Sequence, residues 1–523
     1  MPSRLTRGLR EAFARLPSLS LASLPDAPAP AVRDLWQGES GRGARLLKGE
    51  LVFGGAAMVL RPGQWGGPGV SPLLRAHAHG FTWLRDLRAL GTDAARAAAR
   101  GLVSDWLATP QHAPPAMRPD VAGARLTAWL AHWDFFAASA TDSFRQKLMP
   151  RLMAEARTLA ARLPAEETDS RAITALKGLI AAGVALHGQA AFLTRAVRFL
   201  PPAIGAQVLG DGTQIERSPA VQLGTLQDLV EIRALLQAAQ AAPPAALGNA
   251  IERMAPVLRA LRHGDGGLAL FNGSAEMQGG PIEQVLGHAA RTGRPAASLP
   301  EGGFHRLQAG RTLLLLDGAA PLPAGADRFA HAGTLSFEIS VGRDRLIVNC
   351  GAAPASNSEW RDALRATAAH STLVIADTSS AELRPEGLGR RPARVEVQRQ
   401  EANGAHWVEA SHDGWMKPFG ALHRRRLYLA ESGEDIRGED SVEAETPQPF
   451  TLRFHLHPSV TASLQQDGEA VLLRTASGGW RLRADVPGLS LEESVYFGAG
   501  EPRRTEQVVI PVGVRAAATR SCA

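Results

Sequence analysis

The spacing of hydrophobic residues changes near the middle of the chain. From about residue 71 to residue 263, apolar residues recur every three or four positions, which predicts a series of amphipathic helices. The segment 71–91 begins with Ser71 and Pro72, which suit an N-cap and a first helical position, and Gly91 can end it. Thr92 is the expected N-cap of the next helix. Short loops between successive helices indicate antiparallel hairpins, and a bundle and an incomplete α/α toroid explain the pattern equally well.

Beyond residues 292–303 (TGRPAASLPEGG), the hydrophobic period becomes two. Short alternating segments are separated by Gly, Pro and Asp turns, and 450–457 (FTLRFHLH) is an example with its aromatic and aliphatic residues on one face. Many short strands of this kind predict an antiparallel β-sandwich. The domain boundary is therefore expected within 292–303.

Composition adds few constraints. The chain has 523 residues, a formal net charge of +6 and only four lysines, so its positive charge is almost entirely arginine. No dense basic block indicates nucleic acid as a partner. Two cysteines exclude a disulfide framework and a cysteine-based metal site. The N-terminus shows an amphipathic pattern (Leu5, Leu9, Phe13, Leu16) without the apolar core of a signal peptide, and no apolar run is long enough to span a membrane, so a cytoplasmic location is expected.

Three polar residues lie at predicted strand ends, where a sheet can present them together. His331 precedes the strand at 335–341, Asn349 closes the next strand, and His370 precedes a third. Imidazole nitrogen and amide oxygen are both metal ligands, and imidazole is also a general acid or base. The group predicts a metal or catalytic cluster; capping or ordinary surface histidines are the alternative.

Two polar loops in the helical half are further candidates. In 211–222 (DGTQIERSPAVQ), the side chains of Gln214, Glu216 and Arg217 are not needed for the turn, although the segment could simply be a loop capped by Ser218. In 262–274 (RHGDGGLALFNGS), polar residues surround a glycine-rich turn: His263, Asp265 and Asn272. This segment has too few carboxylates for a calcium loop, so an ordinary turn is the alternative.

Four motifs together resemble the heparinase II/III-like polysaccharide lyases: AHAGTLSFEISVGRDRLIVNCG, EWRDALRATAAHSTLVI, DGTQIERSP and RFHLHP. The family's sandwich signature is a histidine before a strand, an acidic or amide residue near a glycine at the next strand's end, and a later Arg-x-x-x-x-His. Here these positions are His331, Asn349 and the pair Arg365 and His370. The resemblance implies an α+β multidomain protein. Its expected parts are a partly helical N-terminal extension (1–40), an incomplete α/α toroid (41–297) and an antiparallel β-sandwich (298–523), with a substrate cleft between toroid and sandwich.

The resemblance also implies β-elimination on an acidic, uronate-containing polysaccharide. A base removes the C5 proton, polar donors neutralise the uronate carboxylate, and an acid protonates the departing glycosidic oxygen. One divalent ion, Zn or Ca, is possible on the family pattern. The residues implied are catalytic His331, His370 and Glu216; substrate-binding Gln214, Arg217, His263, Asn272, Arg361 and Arg365; and metal-binding His331, Asn349 and His370.

The chain departs from the family pattern at the catalytic tyrosine. After Ser218 and Pro219, the family usually continues with Tyr-His, whereas this chain has Ala220-Val221-Gln222, and its only tyrosines are Tyr428 and Tyr496, both in the sandwich. We therefore expect slow or no cleavage of heparan-type substrates, with elimination on another uronate polymer as an alternative. A substitute acid would be His331, His263 or Tyr428, and His331 is preferred because imidazole can serve as acid or base. Two alternatives are kept: a non-catalytic glycan-binding or envelope-biosynthesis protein, and a glycoside hydrolase using Glu216 and Asp265. A homo-oligomer is possible, and the family suggests the periplasm or cell envelope as the other location.

Overall fold

The computed structural model describes residues 26–109, 114–164, 169–290, 292–296, 298–322, 324–356, 358–465, 468–498, 500–513 and 521–522. The predicted amphipathic helix near the N-terminus lies outside these ranges. The helices are α1 Ser40–Leu47, α2 Pro72–Gly80, α3 Leu84–Leu90, α4 Asp93–Ala108, α5 Pro114–Met117, α6 Pro119–Ala131, α7 Trp133–Phe136, α8 Asp142–Arg162, α9 Arg171–Ala185, α10 Ala190–Gln207, α11 Pro219–Ala238, α12 Ala245–Ala260, α13 Gly279–Ala289, α14 Ser358–Arg365 and α15 Met416–Phe419.

Helix α9 lies at the centre of the helical half and packs against α6, α10 and α11. Eleven of its residues are buried, because Ala, Leu and Ile occupy nearly every turn of its surface. The crossing with α6 is close: a Cβ on Gly178 would lie 2.2 Å from the Cα of Gly123. Two glycines at the crossing point let the helix backbones approach each other.

Two of the three predicted N-cap residues cap their helices through the side chain. The side chains of Ser71 and Thr92 accept hydrogen bonds from the backbone N–H groups of Leu74 and Ala95, each at 3.2 Å. Ser218 precedes α11 but does not cap it, because its hydroxyl lies 3.1 Å from that of Ser274. The predicted helix 71–91 is two helices, since Phe81 has a φ of 59° and interrupts the helix.

The strands are β1 Glu50–Phe53, β2 Ala56–Val59, β3 Phe304–Ala309, β4 Thr312–Asp317, β5 Phe337–Val341, β6 Asp344–Val348, β7 Leu373–Ile375, β8 Leu383–Arg384, β9 Gly387–Leu388, β10 Val395–Ala402, β11 Ala405–Trp415, β12 Ala421–Leu429, β13 Ile436–Ala444, β14 Phe450–Leu456, β15 Thr461–Gln465, β16 Ala470–Thr475, β17 Gly478–Arg483, β18 Ser490–Tyr496, β19 Arg503–Val512 and β20 Ser521–Cys522. All strand pairs in the described residues are antiparallel. The β1–β2 hairpin within the helical half was not predicted.

Two large sheets form the sandwich. One has the order β18-β19-β14-β6-β5-β4-β3, with β7 also paired to β14, and the other has the order β10-β11-β12-β13-β20. A single hydrophobic core includes buried residues of both sheets, among them Leu314 and Ile339 from the first and Val408 and Leu427 from the second. This is the face-to-face packing expected of alternating strands with one apolar face.

The predicted fold class is confirmed: helices precede an antiparallel β-sandwich. The change occurs between the end of α13 at Ala289 and the start of β3 at Phe304, and the predicted boundary at 297/298 lies within that interval. Residues from α12 and from β3 and β4, including Val257, Phe304 and Leu313, share a smaller hydrophobic cluster that joins the two halves. In the part of the chain that the structure describes, none of the helices has the length and apolar character needed to cross a membrane.

Candidate active-site cleft

A cleft of about 380 Å³ lies between the helical half and the sandwich. Arg118 and Arg171 contribute to it from the helical side, and Arg328, Arg361 and Arg365 contribute from the sandwich side. The lining also includes His331 and the two carboxylates Asp327 and Glu386. Arginine therefore outnumbers carboxylate on the walls, and the cleft favours an anionic ligand.

His331 and His370 meet at the sandwich wall of this cleft. His331 Nδ1 lies 3.0 Å from His370 Nε2, and the two rings are nearly perpendicular. His370 Nδ1 donates to the carbonyl oxygen of Ala366 at 2.8 Å, so His370 Nε2 is the acceptor and His331 Nδ1 the donor when both are neutral. A Cβ on Gly333 would lie 2.6 Å from the His370 ring, which explains the glycine in the turn after His331. The predicted convergence of these two histidines is confirmed.

Burial keeps this histidine pair neutral. It lowers the pKa of His370 to about 4, and burial together with the neighbouring His370 and Arg365 lowers the pKa of His331 well below its ordinary value. A neutral His331 can accept a proton at Nε2 while His370 fixes its orientation. This is an arrangement suited to a weak general base.

Asn349 lies beside His370 but is bound in a different network. Its Oδ1 accepts from the backbone N–H of Ser371 at 3.0 Å, and its Nδ2 donates to Glu338 Oε1 at 3.2 Å. The other oxygen of Glu338 lies 2.8 Å from His263 Nε2 and accepts from the backbone N–H of Leu270 at 3.1 Å. Glu338 therefore ties the strand β5 to the loop after α12 and orients the Asn349 amide.

The predicted metal ligands do not fit a divalent cation as they are arranged. The only oxygen donor among them, Asn349 Oδ1, is already the acceptor for Ser371, and a neutral amide is a weaker ligand than a carboxylate. The facing nitrogens of His331 and His370 share a hydrogen bond. Among the described residues, no group of three His, Cys, Asp or Glu side chains has the geometry of a metal site.

Glu216 is buried behind the cleft lining, next to the lining residue Arg328, in the loop before α11. Its Oε1 accepts from the backbone N–H of Ser170 at 3.0 Å, and its Oε2 is buried without a hydrogen-bond partner. Burial and the neighbouring Asp169 raise the pKa of Glu216, and Arg328 at 3.6 Å opposes this shift. Gln214 is fully buried beneath it and donates to Gln207 at 3.0 Å, so Gln214 supports the loop and does not line the cleft.

Three predicted substrate-binding residues of the helical half connect the two halves of the protein. Arg217 is buried, with hydrogen bonds to Asp317 and to the carbonyl oxygens of Gly302, Ala319 and Ala320. Asn272 donates to the backbone oxygen of Arg217 and accepts from the backbone N–H of His331 at 3.2 Å. His263 is enclosed by Glu338 and Ser340. Asn272 thus holds the backbone of His331 from behind, and none of the three residues lines the cleft, in contrast to the predicted contacts with substrate.

The two arginines of α14 differ in how free their guanidinium groups are to bind a ligand. Arg365 lines the cleft but is largely committed, since it donates to the carbonyl oxygens of Ala330, Arg384 and Gly387. Arg361 is about one-third exposed at the same wall, with Asp362 as a loose partner at 3.4 Å. Of these two predicted residues, Arg361 is the one that can turn towards a ligand.

Neither tyrosine lies in the cleft. Tyr496 is buried and donates to Glu276 at 2.7 Å, and burial raises the pKa of its hydroxyl. Tyr428 packs against Trp407 on the outer face of the five-stranded sheet. The alternative carboxylate, Asp265, is paired with Arg345 at 2.7 Å, in a network separate from that of Glu216.

Sequence reasoning missed Asp169, Arg328 and Glu338. Glu338 occupies a regular position of an alternating strand, and its only signal is a carboxylate at a fully buried position of β5. Arg328 directly precedes the segment in which His331 was recognised. Asp169 follows no motif, and only folding brings it near Glu216.

The chain is similar to one described family and to a protein of known name. The profile of the family described as "Heparinase II/III-like, C-terminal" matches residues 291–521. FtsZ-localized protein C of Caulobacter vibrioides (strain NA1000 / CB15N) is 33% identical over 524 residues, which cover 95% of this chain and 88% of that protein.

Solved heparinase structures share the fold along almost the whole chain. A heparinase III structure superposes with a TM-score of 0.72 at 13% identity, covering 98% of this chain and 88% of that one. The heparan sulfate lyase HepC from Pedobacter heparinus, in a mutant form, gives a TM-score of 0.60 at 15% identity, covering 99% of this chain and 86% of that one. These comparisons and the family profile show that the chain belongs to the heparinase II/III-like family, whose polysaccharide lyase fold it shares.

Proposed function

We propose that the protein binds an acidic, uronate-containing glycan in the arginine-lined cleft and acts mainly as a glycan-binding protein of the cell envelope, with slow or no β-elimination. The observation that carries the proposal is the composition of the cleft wall: five arginines and one neutral histidine, without a tyrosine. Guanidinium groups bind carboxylates with two parallel hydrogen bonds, which suits a uronate.

Elimination needs more than this cleft supplies. A base must take the C5 proton, the C–H electrons form the C4–C5 double bond, and the C4–O bond breaks as the leaving oxygen gains a proton. His331 can act as the base, because its Nδ1 is held by His370. A tyrosine that could protonate the leaving oxygen is missing, and an acid–base group contributes about 10²–10⁴-fold to rate. Binding without efficient cleavage is the function that this arrangement supports best.

The proposal predicts that acidic glycans bind while the unsaturated product accumulates slowly or not at all. Binding would be measured by calorimetry and product by ultraviolet absorbance across a panel of uronate polymers. Arg361→Ala should weaken binding by about tenfold or more, since a hydrogen bond to a charged group contributes about 1.5–3 kcal/mol. His331→Ala should remove any residual cleavage.

Matched controls lie far from the cleft. Arg437 is exposed on the five-stranded sheet and His187 is exposed after α9, so Arg437→Ala and His187→Ala should change neither binding nor cleavage. Rapid cleavage that survives His331→Ala would contradict the assignment of His331. Failure of every acidic glycan to bind would contradict the proposed function itself.

A second candidate function is recruitment to FtsZ. The specific observation is the 33% identity with FtsZ-localized protein C over 95% of this chain. We expect the purified protein to co-sediment with FtsZ polymers formed with GTP, and to remain in the supernatant when GDP replaces GTP. Equal amounts in the pellet with and without polymers would exclude this candidate.

A further inference from the structure

Arg328 lies between the open cleft and two buried carboxylates. Its Nε is 3.6 Å from Asp169 Oδ2, and its Nη2 is 3.6 Å from Glu216 Oε2. Both distances exceed an ordinary hydrogen bond. The guanidinium also packs over the Phe329 ring at 4.3 Å, and the side chain is one-quarter exposed to the cleft. Arg328 is thus close to two acceptors without being firmly bound to either.

The two carboxylates are not equivalent. Asp169 accepts from Arg171 Nε at 2.8 and 2.9 Å through its two oxygens and also accepts from the Arg171 backbone N–H, so one full positive charge already faces it. Glu216 has neutral donors, the backbone N–H of Ser170 and the more distant amide of Gln214 at 3.4 Å, both on Oε1. Glu216 Oε2 and Arg328 Nε are both buried without hydrogen-bond partners.

Charge counting shows what a ligand would change. With Glu216 ionised, the charges of Asp169, Glu216, Arg171 and Arg328 sum to zero, and the charge of Arg328 is compensated by Glu216. With Glu216 protonated, the net charge of the four groups is +1, and the uncompensated positive charge is that of Arg328, at the cleft. A carboxylate arriving at Arg328 would also be repelled by an ionised Glu216 behind it.

We propose that Arg328 and Glu216 form a proton-coupled carboxylate site: a ligand carboxylate binds the Arg328 guanidinium, and Glu216 takes up one proton as it does so. This inference rests on the proposed function, because it assumes that an acidic glycan enters the cleft. It adds the residue that receives the uronate carboxylate and a dependence of affinity on pH.

Three of the other cleft arginines are less suited to this role. Arg171 binds Asp169, Arg118 is paired with Asp120, and Arg365 donates to backbone carbonyls. Burial and Asp169 already raise the pKa of Glu216, and Arg328 opposes this shift. A ligand carboxylate that binds Arg328 would offset its positive charge and so raise the pKa of Glu216 further. If ligand binding favours protonation of Glu216, then protonation of Glu216 must favour ligand binding to the same extent. Acidification through the pH range in which Glu216 is protonated should therefore strengthen binding.

The test is calorimetry of a glucuronate oligosaccharide with the full chain, in two buffers of different ionisation enthalpy, from pH 5 to 8. Wild type should take up about one proton per ligand, and affinity should fall by up to about tenfold per pH unit above the pKa of Glu216. Glu216→Gln should bind without that proton uptake and with a flatter pH profile. Glu252→Gln, which removes an exposed carboxylate of α12 outside the cleft, should keep the wild-type behaviour. Arg328→Gln should lose binding at all pH values.

The outcomes separate this inference from the proposed function. Proton uptake that persists in Glu216→Gln, for example through His331, would overturn the inference and leave glycan binding intact. Proton-coupled binding of glucuronate monosaccharide without binding of any polymer would support the inference and contradict the proposed function. Absence of binding to both probes would overturn both.

Discussion

Replacing Arg425 with alanine is expected to destabilise the protein by about 3–5 kcal/mol, since this removes one partner of a buried ion pair. Arg425 is 1% exposed and binds both oxygens of Asp440, at 2.8 and 3.0 Å. It also donates to the carbonyl oxygens of Leu335 and Ser371, which flank the cleft histidines. Without it, Asp440 would keep only His423 as a side-chain partner inside the sandwich.

The neighbouring residue is a matched control. Arg426 points to the opposite face of the same strand, where its side chain is half exposed and pairs with Glu409 and Glu439. Exposed ion pairs contribute about 0–1 kcal/mol, so Arg426→Ala should be nearly neutral. Urea unfolding of the two variants measures the difference. Equal losses of stability would show that burial of the Arg425–Asp440 pair does not matter.

Acidification from pH 7 to 5 is expected to remove most of the stability of the protein. Seven buried histidines have lowered pKa values, all with burial as the largest cause: His79, His263, His331, His370, His412, His423 and His455. Each is neutral in the folded protein at a pH where the unfolded chain is protonated, near an ordinary pKa of 6.5. Their stabilising contribution is therefore complete above pH 6.5 and is lost as the pH falls towards the folded pKa.

The size of this effect follows from linkage. One histidine with a folded pKa of about 4, as for His370, loses roughly 2 kcal/mol between pH 8 and pH 5. Several such groups together approach the whole stability of a folded domain, about 5–15 kcal/mol. Carboxylates with a lowered pKa contribute little in this window because they titrate at lower pH; the pKa of Asp440, for example, is lowered to about 2, whereas that of Glu216 is raised.

Urea unfolding midpoints at half-unit steps between pH 7.5 and 5 measure the slope. His412→Gln should reduce the slope by up to about 1.4 kcal/mol per pH unit, because one titrating group is removed. His187→Gln, at an exposed position, should leave the slope unchanged. A stability that stays constant from pH 7 to pH 5 would mean that these histidines are protonated in the folded protein.

Local patterns in the sequence were sufficient for much of the fold. Hydrophobic period distinguishes helix from strand because buried faces repeat every 3.6 or every two residues, and this separated the two halves of the chain. Ser71 and Thr92 were recognised as caps because the donors they satisfy lie within three residues. The break at Phe81 was missed, since a positive φ at a large aromatic residue follows from packing around it and from no local motif.

The sequence by itself also indicated that His331, Asn349 and His370 lie near one sheet edge, because each of them stands at the end of a predicted strand. It could not determine which atoms they use. The Asn349 amide faces Glu338, and Arg217 and His263 hold the halves together, because residues distant in sequence satisfy their hydrogen bonds. Only the tertiary structure placed Asp169 and Glu216 behind Arg328, which lines the cleft. The burial and the charge environment of these three residues depend on contacts between the loops of the helical half and the sandwich. No hydrophobic period or residue spacing along the chain predicts such contacts.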